Sequence, residues 1–276
     1  MNATAATGER TGAFIATKEH RRFAEFADAV RKHRYIGLCY GTAGVGKTRS
    51  ARHYARWDIA ETLLATWGPR EASDAKVYAA LALNRAIFYT PSVCCPFREL
   101  YGHIAQLISR VGACIDSHVH RDEFVRIGGA PSPVEVLIVD EAERLSPTGL
   151  EHVRDLHDRT GIGVVLVGMS GLEKRLSRYP QLYSRVGFSH HYRPLQGDEL
   201  AFVLTRHWRQ FGLSLDGADF TDAQASAAIA RITGGNFRLL HRLFVQIERI
   251  LKINGLSVVT DDVVEAARST LVIGIT

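Results

Sequence analysis

Apolar residues recur along this chain in two rhythms, and the balance between them changes once. Up to about residue 195, short apolar runs alternate with amphipathic stretches; beyond Gly197 only the helical rhythm remains. Phe23, Phe26, Ala27 and Val30 recur at three- and four-residue spacing behind Thr17, a good capping residue, and predict a helix to about Arg34. Apolar runs at 35–40, 86–90, 134–139 and 163–167 read as buried strands, with a weaker one at 188–192. Helices are predicted at 47–58, 96–111, 147–159 and 172–183. Residues 59–85 are less patterned and read as an extra helix or an insertion. Residues 113–133 are polar, carry Gly128 and Gly129 and two prolines, and read partly as loop.

Strands alternating with helices predict a parallel α/β sheet. The later helices, at about 197–211, 221–233, 237–253 and 261–270, predict a separate helical subdomain. The small, polar residues 1–16 are expected to be a flexible N-terminus. The expected organisation is therefore 1–16, a core of 17–195 that includes the first helix, and a helical part of 196–276.

Composition narrows the classes. With 46% hydrophobic and 23% charged residues, 276 residues can bury a real core. No apolar run approaches the roughly 20 residues that span a bilayer. The first residues lack the basic-then-apolar order of a signal peptide, so a cytoplasmic protein is expected. The four cysteines, Cys39, Cys94, Cys95 and Cys114, have no metal-ligand spacing and read as free thiols, Cys39 as core. A formal charge of +5 permits nucleic-acid binding without requiring it.

The chemistry begins at Gly41, Thr42, Ala43, Gly44, Val45, Gly46, Lys47 and Thr48, which fit G-x-x-x-x-G-K-[ST] at every fixed position. Such glycines let backbone N–H groups turn around phosphate oxygens, above the positive end of a helix. Lys47 would reach the β- and γ-phosphates and Thr48 would bind Mg²⁺. The run VEVLIV places Asp140 at the carboxyl end of a buried strand, where open α/β sheets hold ligands. Asp140 would order the Mg²⁺ shell, and Glu141 would polarise the attacking water as general base. Arg185, in LYSRVGF, and Arg238, in GGNFRLLHRLF, are candidates for compensating charge on the γ-phosphoryl. Each also fits a plain surface arginine. A small-molecule P-loop kinase would share the loop but needs neither Arg185 nor the helical tail.

These features in this order resemble the AAA+ ATPases. Within them the chain resembles transposition regulators of the TniB, TnsC, MuB and IstB type, on YGTAGVGKTRSARHYA, VLIVDEAERLSPTGLEHVRDLHDRTGIGVVLVGMSGL, SRVGF and GGNFRLL. The loop is common to many unrelated enzymes; the block around IVDEAERL and GVVLVG is the more specific part. The resemblance implies a P-loop NTPase with a five-stranded parallel sheet of the ASCE type and a C-terminal helical lid. It implies ATP and Mg²⁺ as cofactors and slow hydrolysis dependent on the oligomer and DNA. It implies a ring or helical filament on double-stranded DNA that marks a target site and recruits a transposase, with a target-selection protein as a further partner. By position Arg185 resembles a finger reaching a neighbour's ATP, and Arg238 a sensor in the lid. The family's sensor on the fourth strand is polar, whereas here Met169 stands there with Ser170 beside it, so either Ser170 takes over or hydrolysis is slow. A non-transposition AAA+ switch, such as a helicase-loader-like or signalling ATPase, would use the same nucleotide residues.

The DNA-facing segment in such proteins often lies between the second and third strands. Here it offers Arg98, Arg121 and Arg126 as phosphate contacts, with His103, Arg110, His118 and His120 nearby. Scattered solvated charge accounts for any one of them equally well. No base-reading residue is evident, so little sequence specificity is expected.

Overall fold

A computed structural model describes residues 14–69, 71–93, 95–120 and 132–271. The expectations placed on residues 1–13, Cys94, Arg121, Arg126, Gly128 and Gly129 lie outside these residues. Five strands, β1 (Ile36–Gly41), β2 (Ala86–Tyr89), β3 (Val136–Val139), β4 (Gly163–Met169) and β5 (Val186–His191), form one sheet in the order β2-β3-β4-β1-β5. All pairings are parallel. β2 and β3 are buried along their whole length, and β4 up to its last residue, Met169; hence their unbroken apolar runs. β5 lies at the edge and alternates half-buried with exposed positions, which explains its weaker sequence signal.

Helix α1 (Lys18–His33) starts where the Thr17 hydroxyl accepts from the His20 N–H at 3.1 Å, and it buries Phe23, Phe26, Ala27 and Val30. The helix expected over 47–58 is two, α2 (Lys47–Tyr54) and α3 (Trp57–Thr66). Arg56 breaks it with a left-handed backbone (φ 54°) that no helix can continue through. Helix α4 (Ala75–Asn84) completes the weakly patterned segment. Helix α5 (Phe97–Val119) runs well past residue 111, because Val111, Gly112, Cys114 and Ile115 keep its buried face going. After α6 (Pro147–Thr160), the helix expected over 172–183 is also two short pieces, α7 (Leu172–Leu176) and α8 (Pro180–Tyr183). Pro180 starts the second piece, since proline fits a first turn and not an interior.

From Leu195 the chain forms a second hydrophobic cluster, around Trp208, Leu240, Leu243, Phe244 and Ile247. Helices α9 (Gly197–Gln210), α10 (Phe220–Thr233), α11 (Phe237–Asn254) and α12 (Asp261–Ser269) build it. Among the described residues, no helix is long and apolar enough to cross a membrane.

Candidate functional site

The sheet register fixes where the chemistry gathers. Gly41 pairs with Met169, Tyr89 with Val139, and the Asp140 N–H donates to the Tyr89 carbonyl at 2.8 Å. The glycine loop after β1, the acidic turn after β3 and the tip of β4 therefore share the carboxyl edge of the sheet, where open α/β folds hold ligands. The loop takes the conformation that glycine permits, with φ +80° at Gly44 and +109° at Gly46, the residue that opens α2.

A cavity of about 300 Å³ lies over this edge. Ala43, Gly44, Gly46, Lys47 and Thr48 line it from the loop, Asp140, Glu141 and Glu143 from the acidic turn, Gly168 and Met169 from β4, and Phe237, Arg238 and His241 from α11. Lys47 is buried and donates through Nζ to the carbonyls of Gly41 and Thr42, both at 2.7 Å. Burial holds its ammonium below the ordinary lysine range, while the negative charges of Asp140 and Glu143 act in the opposite sense. Asp140 is 4% exposed, and burial pushes its carboxyl up. The Thr48 hydroxyl and the Glu141 N–H, both donating to it, and the nearby Lys47 oppose that shift. A buried carboxylate beside a hydroxyl is an all-oxygen donor pair of the kind a hard divalent cation takes, so Thr48 and Asp140 fit Mg²⁺.

Glu141 reaches the same cavity from a left-handed backbone (φ 50°), and its carboxylate pairs with the Arg144 guanidinium. Arg238 faces Lys47 across the cleft and depresses its pKa further. Ser170 is exposed and does not line the cavity; Met169 does, so the fourth strand presents a thioether there and the serine takes no part in this arrangement. Arg185 also lies elsewhere. It donates from Nε to Asp158 of α6 at 2.6 Å and lines neither this cavity nor the one beside it. That pairing holds the Asp158 carboxyl below the usual range.

The neighbouring cavity, about 430 Å³, shares Gly46, Arg49, Phe237 and His241 with the first. Phe14 and Ile15, Ser50, Tyr192, and residues of α9 and α11 close it. Its aromatic and mixed lining suits a flat, partly polar group.

Sequence reasoning missed the residue that joins α11 to the loop. Asn236 donates through Nδ2 to the Ala43 carbonyl at 2.7 Å, while its Oδ1 accepts from the N–H groups of Arg238 (3.0 Å) and Leu239 (3.3 Å). The Arg238 N–H also reaches the Gly44 carbonyl at 3.2 Å. The signal was present, because asparagine between a glycine pair and an amphipathic run is a typical helix cap. Glu143 and Phe237 were missed as well. Of the basic residues proposed for DNA, Arg98 is exposed, whereas Arg110 is occupied with structure. It donates to the Leu64 carbonyl and lies over the Trp67 ring at 5.4 Å. His103 stands beside Glu99 and against Tyr89. Among the described residues no cluster of His, Cys, Asp and Glu could hold a metal by itself.

Residues 30–176 match the family model described as AAA domain. A Staphylococcus aureus protein described as a potential ATP-binding protein is 42% identical over 270 residues, covering 95% of this chain and 97% of that one. The Mu-like prophage FluMu DNA transposition protein B of Haemophilus influenzae is 28% identical over 181 residues, covering 63% of this chain and 54% of that protein. Among solved structures, the Thermotoga maritima RuvB Holliday junction branch migration motor superposes with a TM-score of 0.58 at 17% identity, over 92% of this chain and 68% of RuvB. The Aeropyrum pernix ORC2 protein in its ADP form gives 0.54 at 15% identity, over 98% and 71%. At these identities the two structures speak for the fold alone.

Proposed function

The chain belongs to the AAA domain family, and from that membership we propose that it is an ATP-dependent, largely sequence-nonspecific DNA-binding regulator of transposition. ATP would join its subunits on duplex DNA, and the assembly would mark a target and recruit a transposase. One observation carries the assembly part. Lys47, Thr48, Asp140, Glu141 and Arg238 line one cleft, while Arg185, between α8 and β5, stands outside it against Asp158 of α6, and we read it as serving another subunit. The transposition part is supported by the similarity to the Mu-like transposition protein and by the net charge of +5.

In this reading the base and sugar occupy the larger cavity, and the phosphates lie over the glycine loop. Lys47 exchanges its two carbonyl partners for phosphate oxygens, a gain because a charge-assisted bond to an anion exceeds one to a neutral carbonyl. Thr48 and Asp140 would hold Mg²⁺, which when bound would supply neutralising charge to the phosphates. Glu141 takes the proton of the attacking water once Arg144 releases it. Arg238, carried on the lid that begins with α9, reports whether the cleft is filled. Arg185 leaves Asp158 to reach a neighbour's γ-phosphate.

Subunit mixing tests this. Arg185→Ala and Lys47→Ala chains are each expected to be inactive alone, and mixing them restores hydrolysis at interfaces that join an intact cleft to an intact arginine. Mixtures that stay as inactive as the separate variants contradict a shared site.

A further inference from the structure

We propose that Glu143 holds the water that attacks the terminal phosphate, in space that Gly168 leaves open at the tip of β4. This rests on the ATPase reading above and assigns to that site a residue it did not include.

The tip of β4 lacks a useful polar side chain, since Met169 lines the cleft and Ser170 does not. The residue before Met169 makes up for this by being small. A Cβ on Gly168 would stand 2.5 Å from Glu143 Oε2, closer than any side chain allows. The Glu143 carboxylate therefore lies against bare strand backbone, inside the cleft, near enough for its charge to act on Lys47. Its turn is clamped. Arg175 of α7 donates to the carbonyls of Ala142 (3.4 Å), Glu143 (2.6 Å) and Leu145.

The two glutamates of the turn are in different states. Glu141 is committed to Arg144, which is itself tied to the Pro91 carbonyl at 3.0 Å. Glu143 makes no ion pair among the described residues. An acid directed at a phosphate site repels the substrate unless a donor stands between them, and the attacking water is that donor. In the step, the water oxygen bonds to the γ-phosphorus as the bond from phosphorus to the bridging oxygen breaks. Glu143 accepts one hydrogen bond from the water and stays charged. The departing proton passes to Glu141, ADP keeps the bridging oxygen, and inorganic phosphate leaves.

The test measures steady-state turnover and ATP affinity separately, on full-length chain with duplex DNA. Glu143→Ala is expected to lower kcat by about 10- to 100-fold, the worth of one hydrogen bond to a charged group. Nucleotide Kd should change less than about two-fold, the span of a few tenths of a kcal/mol. Glu143→Gln, which still accepts a hydrogen bond, should recover part of the loss. Gly168→Ala should lower kcat by displacing the carboxylate, and adding it to Glu143→Ala should cost little more, because both changes remove one interaction. A Glu143→Ala chain that turns over within two-fold of wild type overturns the proposal, as does a double variant in which the two losses multiply. Should Gly168→Ala fail to fold, the exposed Glu143 variants decide alone. Wild-type chain that binds ATP but never hydrolyses it sinks the ATPase reading together with this one; active wild type with active Glu143→Ala sinks only this one.

Discussion

Replacing Asn236 by alanine removes three hydrogen bonds from one side chain. Two cap α11 at 3.0 and 3.3 Å, and the third ties the helix to the glycine loop at 2.7 Å. Loss of an asparagine cap costs about 0.5–2 kcal/mol, and loss of one ordinary bond between side chain and backbone about 0.5–1.5 kcal/mol. Taking mid-range values, Asn236→Ala should destabilise by about 2 kcal/mol. Asn236→Asp separates the two parts, since aspartate caps as well as asparagine but cannot donate to the Ala43 carbonyl. It should lose about 1 kcal/mol and bind nucleotide more weakly, because a carboxylate then stands beside the phosphate loop. The assay is urea unfolding with nucleotide titration of all three chains. The helical part has its own core, so its unfolding should be followed separately, for example by the fluorescence of Trp208 against that of Trp57. An Asn236→Ala chain within about 0.5 kcal/mol of wild type, the size of a neutral surface change, would refute the latch. So would an Asn236→Asp chain of undiminished nucleotide affinity.

Other predictions follow from single sites. Glu141→Gln should keep ATP bound while slowing hydrolysis and locking any assembly on DNA; normal turnover would remove Glu141 from the mechanism. His20 is buried, and burial, then the positive charge of His53 and Arg56, holds its pKa down to about 4, against 6.5 for a free histidine. Unfolding therefore takes up a proton as pH falls through 6.5, and the neutral histidine's stabilising contribution is lost progressively until about pH 4. The loss is roughly 3 kcal/mol at most. His20→Gln should flatten that part of the stability profile, and an unchanged slope between pH 4 and 6.5 would contradict it. Arg110→Ala should cost about 1–2 kcal/mol through the lost Leu64 bond and the contact over Trp67, leaving DNA affinity unchanged; the reverse pattern in unfolding and DNA titrations would make it a DNA contact.

Much of the fold was legible because buried parallel strands must be apolar along their whole length, as 134–139 and 163–167 are. The glycine loop was legible because phosphate contact through backbone demands glycine at fixed places. The breaks were harder. Arg56 interrupts a helix with a left-handed backbone that nothing in its side chain announces. The length of α5 was hidden because small residues, Gly112 and Cys114, carry its buried face there. Within the cleft, motif spacing pointed to Asp140 and Glu141 but not to Glu143, whose placement depends on a glycine 25 residues later in another strand. Arg110 looked like any other basic residue until Trp67 and the Leu64 carbonyl came beside it.

The central claim is that ATP in this cleft joins subunits along DNA. Electron microscopy of the full chain with duplex DNA tests it most directly, with and without a non-hydrolysable ATP analogue, and with Lys47→Ala as control. Rings or filaments on DNA that need the analogue and vanish in Lys47→Ala are the predicted result. A chain that binds the analogue yet stays monomeric and off DNA at low salt would contradict the account.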